Sequence, residues 1–267
     1  MIVQPFSFLS GSASGGIPTA NLLSDFDPAV DVFDSNGDPV TDADYIYEWH
    51  GNGSTNNIAR QTDSSDQLRW IQSGPEGSGQ PCVEGFGGSS GMEVLNSVGD
   101  YNSDDITFYA VADWDTGNEN EAIWSNNSSG GAFGYDDGWW VGAGTSSDER
   151  HKTYVDNMSN ASGYTIINTS GNNQLQVRGF RFKTSSGTQY NNNKVQDGTQ
   201  DTANTLVASN YTKNTTKNSL IMANYDGSGN WPSNGFDGKV YRILIYNTYH
   251  DDTTYNNILQ ELEDTYL

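Results

Sequence analysis

The chain contains a single cysteine, Cys82, so no intrachain disulfide can form. Cations are scarce: 12 Lys and Arg stand against 34 Asp and Glu, a net charge of −22. That field repels phosphate backbones and excludes nucleic acid as a partner. The three histidines, His50, His151 and His250, have no partners at zinc or metalloprotease spacing. No stretch approaches the roughly 18 apolar residues of a membrane span. The first residues lack the basic and apolar regions of a signal peptide. Also missing is a strand of the type Glu-x-Asp-x-Glu, which would set two carboxylates on one sheet face for a retaining glycosidase. The nearest cluster, Asp113 to Glu121, holds Glu119 and Glu121 two residues apart in a polar, turn-forming stretch. It reads as a solvated loop. The sequence therefore predicts no catalysis.

Only 34 % of the residues are hydrophobic, but seven Trp, fifteen Tyr and ten Phe exclude a disordered chain. Thirty glycines, with many Ser, Thr, Asn and Asp, suit short strands joined by polar turns. Strands are predicted at Tyr45–Trp49, Leu68–Ile71, Ile106–Trp114, Ala122–Trp124, Trp139–Val141, Tyr164–Ile167, Leu175–Phe182, Leu206–Ala208 and Leu220–Ala223. Within Leu175–Phe182 the apolar alternation changes phase at Gly179, which suggests a bulge. Val240–Tyr246 is apolar on both faces apart from Arg242, as befits a central strand. A helix follows. Asp251, Asp252, Thr253 and Thr254 offer caps, and Tyr255, Ile258, Leu259, Leu262 and Tyr266 form one apolar face.

Two stretches carry the binding expectations. Residues 1–20 form an arm or a first strand: Ile2, Val3, Phe6, Phe8 and Leu9 precede a Gly/Ser hinge at Ser10–Gly16. As an arm, they would dock on another chain. Phe133–Trp140 is a hairpin by its Asp137-Gly138 turn. It is also a glycan-binding candidate, since Tyr135, Asp136, Asp137, Trp139 and Trp140 combine aromatic faces with carboxylates. Asp34, Asn36 and Asp38 partly match a calcium loop, but Gly37 is one place early and Tyr45 replaces the twelfth-position Glu. A turn is expected there, and no cofactor. Asn126, Asn168 and Asn214 begin Asn-x-Ser/Thr triplets expected by chance in this composition.

The order of features resembles the laminin-G-like branch of the concanavalin A-like superfamily. The matching stretches are Tyr45-Ile-Tyr-Glu-Trp-His-Gly-Asn-Gly53, Pro81–Val94, Ile106–Trp114, and Phe236–Asn247 with the helix ending at Leu267. The resemblance implies an all-β antiparallel sandwich, or jelly roll, over residues 21–267, closed by a short C-terminal helix. Proteins of this fold without a signal peptide resemble phage surface proteins. That implies a non-enzymatic virion surface protein, a capsid decoration or tail fibre component, made in the host cytoplasm. Its partners would be other virion proteins or copies of itself, with a host glycan as a further contact. The alternatives are a carbohydrate-binding module of a carbohydrate-active protein, and a polysaccharide hydrolase or lyase.

Overall fold

A computed structural model describes residues 16–74, 79–114, 121–127, 138–143, 150–155, 164–168, 175–183, 188–195, 200–202, 213–224 and 235–267. Seventeen strands and one helix are found there. The first seven strands are short: β1 (Leu22–Phe26), β2 (Val32–Phe33), β3 (Glu48–His50), β4 (Ile58–Arg60), β5 (Arg69–Ile71), β6 (Cys82–Phe86) and β7 (Met92–Val94). There follow β8 (Asp105–Trp114), β9 (Ala122–Asn127), β10 (Gly138–Ala143), β11 (Arg150–Val155), β12 (Tyr164–Asn168) and β13 (Gln176–Lys183). The chain closes with β14 (Thr188–Val195), β15 (Gln200–Thr202), β16 (Ser219–Ile221), β17 (Asp237–Tyr246) and helix α1 (Asp252–Tyr266).

The strands form two antiparallel sheets. Sheet A runs β15-β14-β13-β8-β17-β6-β5, with β1 also on β17, and sheet B runs β12-β11-β10-β9-β16-β7-β4-β3-β2. The fold is thus an all-β sandwich with one C-terminal helix, as the sequence predicts. Strand β17 is central. One edge pairs with β8, while the other pairs first with β6 and then with β1. Val240 and Ile243 both enter the inter-sheet core, an odd spacing allowed by an irregularity between Val240 and Arg242.

The core between the sheets is aromatic. Trp124 stacks on Trp139 at 6.2 Å, Phe108 meets Trp139 edge-on at 5.9 Å, and Phe26 meets Trp49 at 5.4 Å. Strand β8 sends Ile106, Phe108, Ala110 and Ala112 into this layer. Its alternate residues Tyr109 and Val111 lie under α1, with Leu175, Val177 and Tyr241. Tyr255, Ile258, Leu259, Leu262 and Tyr266 seal the helix to sheet A. Asp251 caps it, its carboxylate accepting the Thr254 N–H at 2.7 Å.

Three expectations change. Strand β13 has no bulge at Gly179, since its register with β8 and β14 is unbroken. The strand is buried on both faces. Leu175 and Val177 meet the helix layer, Phe180 and Phe182 meet sheet B, and Gly179 leaves room for the Tyr255 ring. The expected strand Tyr45–Trp49 is shorter because its pairing divides. Ile46 N–H bonds Leu68, whereas Tyr47 N–H bonds Phe33, so the chain crosses from one sheet to the other. Glu121 is buried, at 2 % exposure, rather than in a solvated loop; its Oε2 accepts the Asp237 N–H at 3.4 Å. Glu119 lies outside the described residues.

Candidate functional site

Five of the residues singled out by the sequence, Ile2, Val3, Phe6, Phe8 and Leu9, lie outside the described residues, as do Tyr135, Asp136 and Asp137. The described chain starts at Gly16. Ile17 packs with the helix layer, and Pro18 C=O accepts the Tyr246 hydroxyl at 2.9 Å. Trp139 and Trp140 are 1 % and 2 % exposed. Trp139 stands in the inter-sheet core, its Nε1–H donating to Tyr101 C=O at 3.0 Å. Neither indole offers an open face for stacking on a sugar. This corrects the expectation for both, since Trp139 is spent on the inter-sheet core and Trp140 is buried as well.

The Asp34 loop uses its carboxylate internally. Oδ1 accepts the N–H groups of Asn36 (2.8 Å) and Asp38 (3.0 Å), and Oδ2 accepts from Asn36 Nδ2. These bonds, Asp38 first, hold Asp34 below the usual carboxylate range. Gly37 takes φ 81° to close the turn. Among the described residues, no three His, Cys, Asp or Glu side chains are placed to share a metal ion. No helix there is long and apolar enough to cross a membrane.

Two clefts open on the outer face of sheet B. Ala59 and Trp49 point into the core, so alternation turns Glu48, His50, Ile58 and Arg60 outward. Arg60 stands opposite Glu48 on one side and Glu93 on the other. The two clefts meet there and share Arg60 and Leu95. One, of ≈ 250 Å³, is lined by Arg60, Gln61, Thr62, Asp63, Asp66, Glu93 and Leu95. The other, of ≈ 500 Å³, adds Thr55, Asn56, Asn57, Ile58 and Asn96. Together they make a groove across β4, with half-buried Ile58 and Leu95 as its apolar parts and amides, hydroxyls and carboxylates around them.

The groove's polar groups are held in place. Glu48 Oε1 accepts from Arg60 Nε at 2.9 Å and Nη2 at 2.6 Å, and its Oε2 lies 3.0 Å from His50 Nε2. The bonds from His50 and then Arg60 outweigh desolvation and keep Glu48 below the usual range. Glu93 Oε1 accepts Asn218 Nδ2 at 2.8 Å. Asp63 accepts the Ser65 N–H and hydroxyl, at 2.9 and 2.7 Å, which lower its pKa. An ionised Asp63 is a hydrogen-bond acceptor, not a proton donor. Asn57 ties the groove to the interior, donating to Asp100 and to the Tyr101 hydroxyl, each at 3.1 Å. Another cleft, of ≈ 580 Å³, lies between β1 and the Asn52–Ser54 loop, but its one carboxylate, Asp25, is engaged by Arg242.

No local motif announces this groove. Arg60 and Asp63 come from one stretch and Glu93 from another, and the β4–β7 pairing brings the two together.

No protein-family model matches the chain, and no curated protein resembles it in sequence. Its fold does match solved structures. An arabinofuranosidase in complex with arabinofuranosyl-α-1,2-xylobiose superposes with a TM-score of 0.57 at 17 % identity, over 84 % of this chain and 52 % of that one. A GH54 α-L-arabinofuranosidase with a cyclic sulfate inhibitor gives 0.58 at 16 %, over the same shares. A Trypanosoma rangeli sialidase mutant with trans-sialidase activity gives 0.55 at 12 %, over 93 % of this chain and 34 % of that one. The chain thus spans about half the length of the arabinofuranosidases and a third of the sialidase. At these identities the likeness is one of fold. These three structures are of glycoside-cleaving enzymes. This overturns the expectation of a non-enzymatic virion surface protein, and with it the expectation that the chain is no enzyme.

Proposed function

We propose that the chain is a carbohydrate-binding β-sandwich of a carbohydrate-active protein, with the groove across β4 as its glycan site. The observation that carries this is the meeting of two clefts at Arg60 and Leu95 on an open sheet face. Glycans are recognised by many hydroxyl contacts spread along an elongated surface, with apolar patches against C–H faces. The groove supplies that mixture: Thr55, Asn56, Thr62, Asp63, Glu93 and Asn96 beside Ile58 and Leu95. The fold is shared with an arabinofuranosidase solved with a neutral trisaccharide and with a sialidase, which supports a sugar as the ligand class.

A second reading, a polysaccharide hydrolase, draws on Asp63, Asp66 and Glu93 lining one cleft. Paired carboxylates are what glycoside cleavage requires. One experiment addresses both. The protein is screened against plant and bacterial polysaccharides for retention and for reducing-sugar release. Retention that falls at least about tenfold in the Arg60→Ala/Glu93→Ala variant, with an unchanged far-UV spectrum, is the expected result. Sugar release abolished by Glu93→Gln would establish the hydrolase. No retention on any polymer overturns the proposal.

A further inference from the structure

The charges around the groove say which glycans it accepts. Glu48, Asp63, Asp66 and Glu93 stand around it, and Arg60 is the one cation among its lining residues. Its Nε and Nη2 both donate to Glu48 Oε1, so that carboxylate offsets much of its charge. The remaining polar lining is uncharged: Gln61, Thr55, Thr62, Asn56, Asn57 and Asn96. Amides and hydroxyls match sugar hydroxyls, and carboxylates accept from them. A uronate, a sialate or a sulfate would meet three lining carboxylates, Asp63, Asp66 and Glu93, against the one guanidinium. The net charge of −22 adds a long-range field of the same sign.

Resting on the glycan reading of this groove, we infer that the site selects uncharged glycans and rejects carboxylated and sulfated ones by like-charge repulsion. The wrong ligand is excluded by an unpaired charge, not by a lost contact. Asp63 and Glu48 are held ionised by their hydrogen bonds, so the repulsion persists into mildly acidic solution.

The test uses polymer pairs that differ in charge: arabinoxylan against glucuronoxylan, and hydroxyethylcellulose against carboxymethylcellulose. Affinity electrophoresis or calorimetry is run at about 20 mM and about 0.5 M NaCl. The uncharged member should bind at least about tenfold more tightly at low salt, and the gap should narrow at high salt. In an Asp63→Asn/Glu93→Gln variant the ratio of the two affinities should fall. A carboxylated polymer that binds equally or more tightly at low salt overturns the inference. A ratio unmoved by the double substitution also overturns it, by assigning the discrimination to net charge instead of the groove. If an uncharged polymer binds in either case, the glycan reading itself stands. Binding to no polymer at all removes both.

Discussion

Arg242 on β17 and Asp25 on β1 form a two-pronged ion pair, Nε to Oδ1 at 3.0 Å and Nη2 to Oδ2 at 2.7 Å. Asp27 Oδ2 lies 3.8 Å from the same guanidinium. Arg242, the one charge within the apolar run Val240–Tyr246, thus ties β1 to β17. Burial disfavours the charged guanidinium, yet the Asp25 bonds prevail and raise its pKa. The energetics of such pairs are asymmetric, because removing one partner leaves the other charge uncompensated.

Asp25→Ala should therefore cost about 3 kcal/mol in urea unfolding. Asp25→Ala combined with Arg242→Met should recover part of that loss. A double variant no better than the single would show that the pair itself, not the stranded charge, carries the stability.

Gly179 is required for space. A Cβ there would lie 2.2 Å from Tyr255 Oη and 2.6 Å from Cζ. Gly179→Ala should destabilise by about 1–3 kcal/mol through displacement of the helix. In a Tyr255→Leu background the same change should cost much less, and a thermal-melt double-mutant cycle reads the difference.

His250 links the helix N-terminus to sheet A. Its Nδ1 lies 2.8 Å from the Tyr109 hydroxyl, and Arg181 Nη1 donates to its carbonyl at 2.6 Å. Burial pushes its pKa down to about 4, from an ordinary 6.5. Between those values the unfolded chain binds the proton and the folded chain does not, so stability falls as pH drops from 6.5 towards 4. The loss attributable to this side chain at pH 5 is about 2 kcal/mol relative to pH 7. Urea midpoints of the wild type should fall over that window more steeply than those of His250→Gln. Parallel curves would remove His250 as the cause.

Asn126 is the hub of a buried polar network. Its amide donates to Tyr101 C=O at 3.0 Å and to Asn102 Oδ1 at 3.2 Å, while its oxygen accepts from Asn214 Nδ2 at 3.2 Å and Ser219 Oγ at 3.1 Å. Asn126→Ala should cost about 2–4 kcal/mol, since several buried groups lose partners together. Asn126 and Asn214 both have no exposed surface. Expression through a eukaryotic secretory route should therefore leave both unmodified in the folded protein, as intact-mass and peptide spectrometry would show.

The long, strongly patterned elements were legible. Val240–Tyr246, Ile106–Trp114 and α1 each carry an apolar period that their final burial matches. Polar strands were not. Thr188–Val195 has the sequence TQYNNNKV, with no apolar alternation, and becomes a strand by pairing with β13. Ile58–Arg60 is only three residues and gains its identity from β3 and β7 on either side. The groove was illegible for the same reason, since its two halves, residues 55–66 and 93–96, are joined by that non-local pairing. At Gly179 the error came from periodicity itself: a strand buried on both faces mimics a bulge when a glycine interrupts one face.

The central claim, that the groove across β4 holds a glycan, is tested most directly by backbone and methyl chemical-shift mapping during titration with a neutral oligosaccharide identified in the polysaccharide screen. The account predicts perturbations concentrated on Asn56, Ile58, Arg60, Glu93, Leu95 and Asn96, the residues that line the two joined clefts. Saturable binding whose perturbations fall elsewhere, with these six unmoved, would contradict it.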